Sequence, residues 1–442
     1  MSAARRKSGR QPATAEIQLE LIVCAFREKG IDIGVAYTPE GGLDFVYQKG
    51  VILVRDGYLR EVADVVGAAE VLDGLVHGVT LLSLAKAKVR DVIEALQRID
   101  AALGVGVATP NHILSICPVS PCPATEPEVV AGDAQPDPGR CDAGGQGVLI
   151  YAPDTGLLVG SGSHPWLAGV TGAPDQLAGG GEIRQYAGHG TFVAGLARCM
   201  APGSAVHVPG DFAAAGALSE DKMVRRLDEA LGLGPDVISL SAGGTTRKSL
   251  PLLAFDGFWH RYRQHKGTVL VAAAGNNGTR RPFWPAAFPA VVGVGAIAAS
   301  GRSRAHFSDF GPWVDVYAPG EDLVNAFASG TYICREPPNI GQQREFHGMA
   351  RWSGTSFATP LVAGLIAARI SRTGENGRQA ADALLSLARS QPLPGVGPVL
   401  WPCQSAGGCL DHRGGCCCCR GCSRAGCGGP GSGHAGWCRD GR

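Results

Sequence analysis

The chain has 442 residues, a formal charge of +1 and 18% charged side chains. That length allows two or three domains, one with a substantial core, and the near-neutral balance excludes a global field that would gather nucleic acid or an anionic membrane. No stretch approaches 18 consecutive apolar residues, so no membrane-spanning helix is expected.

Residues 1–39 open on a basic stretch containing Arg5 and Arg6 and read as a flexible leader. Glu16 and Glu20 interrupt its only candidate apolar core, so no secretion signal is expected. Residues 40–116 read as a small α/β module. Within it, Asp56-Gly57 between VILVR and YLREV predicts a two-residue hairpin. GVTLLSL predicts a strand. Val89, Val92, Ile93, Leu96, Ile99 and Leu103 predict a helix, and VGVATPNHILSI predicts a further strand. Residues 117–146 are rich in Pro and Gly without periodicity and read as an extended linker carrying Cys117 and Cys122.

From 147 to 395, short β-branched runs (GVLIYAP, AVHVPG, DVISLS, TVLVAAAG, AVVGVGAI) alternate with helical stretches. One of these, SEDKMVRRLDEALGL, has Ser219 at its N-cap position. The rhythm predicts an α/β fold, a doubly wound and mainly parallel sheet, with reactive groups at the carboxyl ends of its strands. Residues 396–442 read as a disordered tail: 403–442 hold 9 of the 15 cysteines, and apolar side chains other than Cys are scarce. Its cysteines lack the spacing of a zinc ribbon. The other six cysteines, without an export signal, point to a reduced, cytoplasmic protein.

Three segments set reactive side chains at strand ends and helix starts. GVLIYAP runs into Asp154, GHGTFVAG places His189 between two glycines, and SGTSFATP places Ser356 ahead of Pro360 in a first helical turn. A serine hydroxyl needs a base, and neutral imidazole is that base near neutral pH. A carboxylate on the other ring nitrogen fixes the tautomer. The helix start offers a backbone N–H to a developing oxyanion. Asn276, after the buried run VLVAAAG, can direct a side-chain amide to the same place. Ser356 alone would read as a helix cap, but Ser353 stands ready for that role, and capping explains neither His189 nor Asn276.

The motifs DTG, HGTFVAG, AAAGNNG and SGTSFATP, in this order, resemble the subtilisin-like serine peptidase family, the subtilases. FSDFGPWVDVYAPG and FPAVVGVGAIAAS resemble connecting stretches of that family. The resemblance covers residues 147–372 and implies a serine endopeptidase acting on peptides or proteins. It implies Asp154, His189 and Ser356 as catalytic triad, Asn276 as oxyanion donor, and Ser241, Ala242 and Gly243 as a wall of the substrate cleft. No cofactor is implied; structural calcium occurs in the family, but no ligand set is recognisable here. Arg280 and Arg281 either line the pocket, favouring acidic side chains, or stand as solvated surface residues. Residues 40–116 suit a propeptide-like module that inhibits intramolecularly, or a permanent regulatory domain. The alternatives are a catalytically idle subtilase fold that binds peptides or partners, and a metal- or redox-responsive adaptor acting through the tail.

Overall fold

The computed structural model describes residues 14–116 and 126–402, apart from residues 132, 142, 176, 178–180, 213–214, 266 and 337. The expected parallel sheet lies at its centre. Its strands run in the order Val316–Pro319, Val291–Ile297, Val269–Ala273, Val237–Leu240, Leu149–Tyr151, Ala205–Val208, Thr171–Gly172, and every adjacent pair is parallel. These strands read as apolar runs rather than alternations because both faces are covered. Successive side chains leave on opposite faces: Val237, Val269 and Val271 enter one core with the helices His189–Met200 and Thr355–Thr373. Ile238, Leu270 and Ala272 enter a second core with Glu220–Gly232 and Phe255–Tyr262. The two helices of the first core approach closely at Gly364, where a Cβ would meet the Ala197 carbonyl oxygen at 2.6 Å.

The N-terminal module is an antiparallel sheet of Ile33–Tyr37, Leu43–Arg55, Glu70–Val76, Val79–Ser83 and Ala108–Ser115. The helices Leu59–Val66 and Val92–Leu103 cover one face. The other face meets the second core: Val51, Leu53, Val79, Leu81 and Leu114 pack with the helices Glu220–Gly232 and Phe255–Tyr262. The strand Ala108–Ser115 also pairs with Ala217–Ser219, so the N-terminal sheet extends into the second body.

Several expectations require correction. The leader is not flexible throughout, because Thr14–Arg27 is a helix and Ile33–Tyr37 a strand. Leu19, Ile22, Val23 and Phe26 recur at helical spacing and dock on Ile33, Val46 and Ile113. Asp56-Gly57 makes no hairpin. Leu59, Val62 and Val66 instead form one face of the helix Leu59–Val66, which Gly67 ends at φ 73°. The described part of the linker lies on the second body. Glu128–Val129 pairs with Gln343–Trp352, and buried Glu126 accepts from the Tyr332 hydroxyl at 3.1 Å and from the Arg335 and Glu336 amides. Ser219 does stand at the N-cap of Glu220–Gly232, but its hydroxyl donates to the Asp221 carboxylate and accepts no first-turn N–H. Packing continues past residue 396, since Val399 pairs with Tyr317 and Leu400 is buried. Cys117, Cys122 and residues 403–442 lie outside the described residues.

Glu336 carries a stability cost with a defined pH dependence. Burial first, then the nearby Glu126 carboxylate, push it from about 4.5 up to about 8, with Arg344 opposing; its Oε2 has no hydrogen-bond partner among the described residues. A raised carboxyl favours the fold fully below the unfolded value and loses that contribution as pH rises through 8. Glu336→Gln is therefore expected to stabilise the protein at pH 8.5 by about 2 kcal/mol, a rise of a few degrees in melting temperature, and to change nothing near pH 4. Thermal unfolding at the two pH values checks this.

Candidate active site

Asp154 and His189 meet where the end of Leu149–Tyr151 faces the start of His189–Met200. Both side chains are fully buried. His189 Nδ1 lies 2.8 Å from Asp154 Oδ1 and 2.9 Å from Oδ2, and the Thr155 N–H donates to Oδ1 at 2.8 Å. Two acceptors at Nδ1 assign the ring proton there, which leaves Nε2 as a basic lone pair. Thr155 and Asp175 tie the two turns together: the Thr155 hydroxyl donates to Asp175 Oδ2 and accepts from the Gly190 N–H, and the Gly188 N–H donates to the same Oδ2. Trp352 meets the imidazole edge-on and Phe357 lies against it, with ring centroids 5.5 and 5.1 Å away. His189 Nε2 is buried and has no hydrogen-bond partner among the described residues.

Ser356 is the second residue of Thr355–Thr373. Ser353 does not cap this helix; its hydroxyl accepts from the Asp322 N–H, and Gly354 is the N-cap. Ser356 Oγ lies 2.9 Å from the Ile116 carbonyl oxygen and 3.3 Å from that of Ser241, so its proton goes to main-chain acceptors. Asp154 and His189 are joined directly, while Ser356 makes no hydrogen bond to the ring; the next residue, Phe357, is the one that lies against the imidazole. Asn276 is buried with its Oδ1 accepting from both the Thr355 N–H and hydroxyl, each at 2.8 Å. The Asn276 amide nitrogen is the end turned away from Thr355. Ser241 Oγ donates to the Ser356 carbonyl at 2.7 Å, Ala242 is buried behind it, and Gly243 forms a strand edge.

That edge is already paired. Ser115 and Gly243 exchange both main-chain hydrogen bonds, at 2.9 and 3.0 Å, and the Ile116 N–H donates to the Gly216 carbonyl. With Ile113, Leu114 and Ser115 opposite Ser219, Leu218 and Ala217, the end of the N-terminal module runs as a middle strand between two walls. Ile116 then meets Ser356. Polar ties hold the module in place. His112 Nδ1 lies 2.8 Å from Glu220 Oε2, both side chains being fully buried, while His112 Nε2 accepts from the Arg247 N–H at 3.2 Å. Arg281 ion-pairs with Asp44 and donates to the Thr246 carbonyl. It is thus a bridge to the module, not a solvated residue, whereas Arg280 is exposed and stacks on Phe310.

Sequence reasoning missed Ile116, His112 and Asp175, whose partners are distant along the chain and leave no local pattern. Asp309 stood within FSDFG but carried no assigned role. Among the described residues no three His, Cys, Asp or Glu side chains converge as a metal site. No helix of the described residues is long and apolar enough to cross a membrane.

A family model described as the subtilase family matches residues 145–389. Over 256 residues the chain is 33% identical to the thermophilic serine proteinase of Bacillus sp. (strain AK1), covering 54% of this chain and 56% of that protein. Over 253 residues it is 32% identical to thermitase of Thermoactinomyces vulgaris, covering 54% and 81%. Its fold is similar to that of fervidolysin from Fervidobacterium pennivorans, with a TM-score of 0.54, 22% identity, and coverage of 80% of this chain and 60% of that one.

The module is fastened by Asp100, which binds Arg247 at 2.8 Å and Lys248 at 2.7 Å. Burial would raise its carboxyl, but these two cations outweigh it and hold the group below the usual range. Arg247 is equally buried, so Asp100→Ala leaves a charge without its partner and is expected to cost about 3 kcal/mol. Urea unfolding measures it; a loss below about 0.5 kcal/mol would mean that solvent already screens the pair.

Proposed function

Since the chain belongs to the subtilase family, as the match over more than half its length shows, we propose that it is a serine endopeptidase with Asp154, His189 and Ser356 as its triad. The observation that carries this reading is the buried Asp154–His189 pair with an unengaged Nε2, on a ring that lies against Phe357, the residue after Ser356 in the helix start. His189 takes the Ser356 proton as the hydroxyl attacks the scissile carbonyl, then returns it to the leaving amine. Asp154 holds the tautomer and stabilises the imidazolium. The Asn276 amide and the Ser356 N–H receive the oxyanion. Substrate is an extended polypeptide that pairs with residues 216–219 and with Gly243, the positions residues 113–116 now hold. The chemistry runs on protein groups without a cofactor.

The N-terminal module acts here as an intramolecular inhibitor. While residues 113–116 fill the cleft, substrate has no edge to pair with, and Ser356 gives its proton to Ile116 instead of His189. Departure of the strand removes that acceptor, and one rotation of the serine side chain turns the hydroxyl toward Nε2. The same observation, an unmade Ser356–His189 bond, favours a second reading: an idle fold permanently closed by its own module.

A fluorophosphonate probe followed by intact mass separates the two readings. The full chain is expected to take one adduct, absent from Ser356→Ala. Asp154→Asn, which unsettles the His189 tautomer, is expected to slow labelling by about 1,000-fold or more. Ser115→Pro, which removes a donor to Gly243, is expected to speed labelling by about tenfold. No adduct on either wild type or Ser115→Pro would leave only the idle fold.

A further inference from the structure

The loop that presents Asn276 is held from below by one buried carboxylate. Asp309 Oδ1 accepts from the Asn277 N–H at 3.1 Å, the Thr279 N–H at 2.8 Å and the Thr279 hydroxyl at 3.4 Å; Oδ2 accepts from the Asn277 side-chain amide at 3.0 Å. The Asp309 N–H in turn donates to the Gly275 carbonyl at 2.9 Å. The peptide units on both sides of Asn276 are therefore anchored to one residue. Two further main-chain bonds, Gly278 to Phe307 and Phe310 to Thr279, close the two loops together.

The local backbone is built for this contact. Gly275 at φ 100° and Gly278 at φ 66° bend the chain so that the N–H groups of 277 and 279 converge on one acceptor. A Cβ on Gly275 would stand 2.4 Å from Asp309 Oδ2. Asp309 is fully buried, and burial pushes its carboxyl up to about 6 against those donors, so at neutral pH the loop faces an ionised acceptor. The cationic groups of its surroundings, Arg280 and Arg304, are stacked on the Phe310 ring.

We propose that Asp309 is a positioning residue for catalysis: by fixing the turn Gly275–Thr279 it sets where the Asn276 amide meets the oxyanion. Thr355 fixes the far end, with its N–H and hydroxyl on Asn276 Oδ1 and its Oγ1 accepting from the Gly275 N–H at 3.2 Å. Donor and nucleophile helix thus share one frame, and Asp309 is its base. The inference rests on the endopeptidase reading, because it assigns Asn276 to the oxyanion.

The test is saturation kinetics of fluorophosphonate labelling in the full chain carrying Ser115→Pro to open the cleft. Asp309→Ala is expected to lower the maximal labelling rate about 10- to 100-fold, since a displacement near 1 Å costs about that much. The half-saturating probe concentration should stay within about threefold. Asp309→Asn, which keeps one oxygen for the two main-chain donors, should restore the rate to within about threefold. In an Asn276→Ala background Asp309→Ala should change it less than about twofold, because the donor it positions is gone. If Asp309→Ala does not fold, Asp309→Ser replaces it, with a loss in the same direction. Unchanged labelling, or the same loss with and without Asn276, would overturn the assignment alone. Absence of labelling in the parent Ser115→Pro chain would overturn the peptidase reading, and this inference with it.

Discussion

The rest of the structure depends on a short antiparallel ladder, residues 113–116 laid between 216–219 and Gly243. The strand edges at residues 216–219 and Gly243 carry N–H and C=O groups that need partners. In this chain its own N-terminal module supplies them. That single pairing joins two sheets, buries Leu114 and Ile116 in the second core, and sets the Ile116 carbonyl on the Ser356 hydroxyl.

From this follows the division of labour within the site. The Asp154–His189 half is rigid: Thr155, Asp175 and two glycine amides lock the turns, and Trp352 and Phe357 hold the ring. The turn that carries Asn276 is equally tied, through Thr355 and Asp309. Only the serine hydroxyl is committed elsewhere, and a side-chain rotation is the smallest motion that can switch it. The ties that hold the module are a buried hydrogen bond from His112 to Glu220 and an ion pair from Asp100 to Arg247, both across the junction. Such ties specify how two surfaces fit more than they add net stability.

The parallel sheet was legible because strands covered on both faces leave unbroken apolar runs; Asp154 and Asn276 stand where two of those runs stop, and His189 and Ser356 stand at helix starts. Local chemistry failed where one signal masked another. Asp56-Gly57 read as a turn while Leu59, Val62 and Val66 carried the helical period. The basic start of the chain hid the apolar face of Thr14–Arg27. Proline and glycine made residues 126–146 look unattached, although Glu126 and Glu128–Val129 bind the second body. The partner of Ser356 was beyond any local reading, since Ile116 lies 240 residues away. Asp309 was visible as a letter in FSDFG, yet its role needs the converging amides of 277 and 279.

Hydrogen exchange of the main-chain amides of Ser115, Ile116 and Gly243 in the full-length Ser356→Ala protein addresses the ladder most directly. If residues 113–116 hold the cleft, these amides exchange about 1,000-fold or more slowly than in a free peptide and open together, as one cooperative unit. Exchange at free-peptide rates in an otherwise folded chain would mean that the cleft stands open, contradicting the account of a peptidase closed by its own strand.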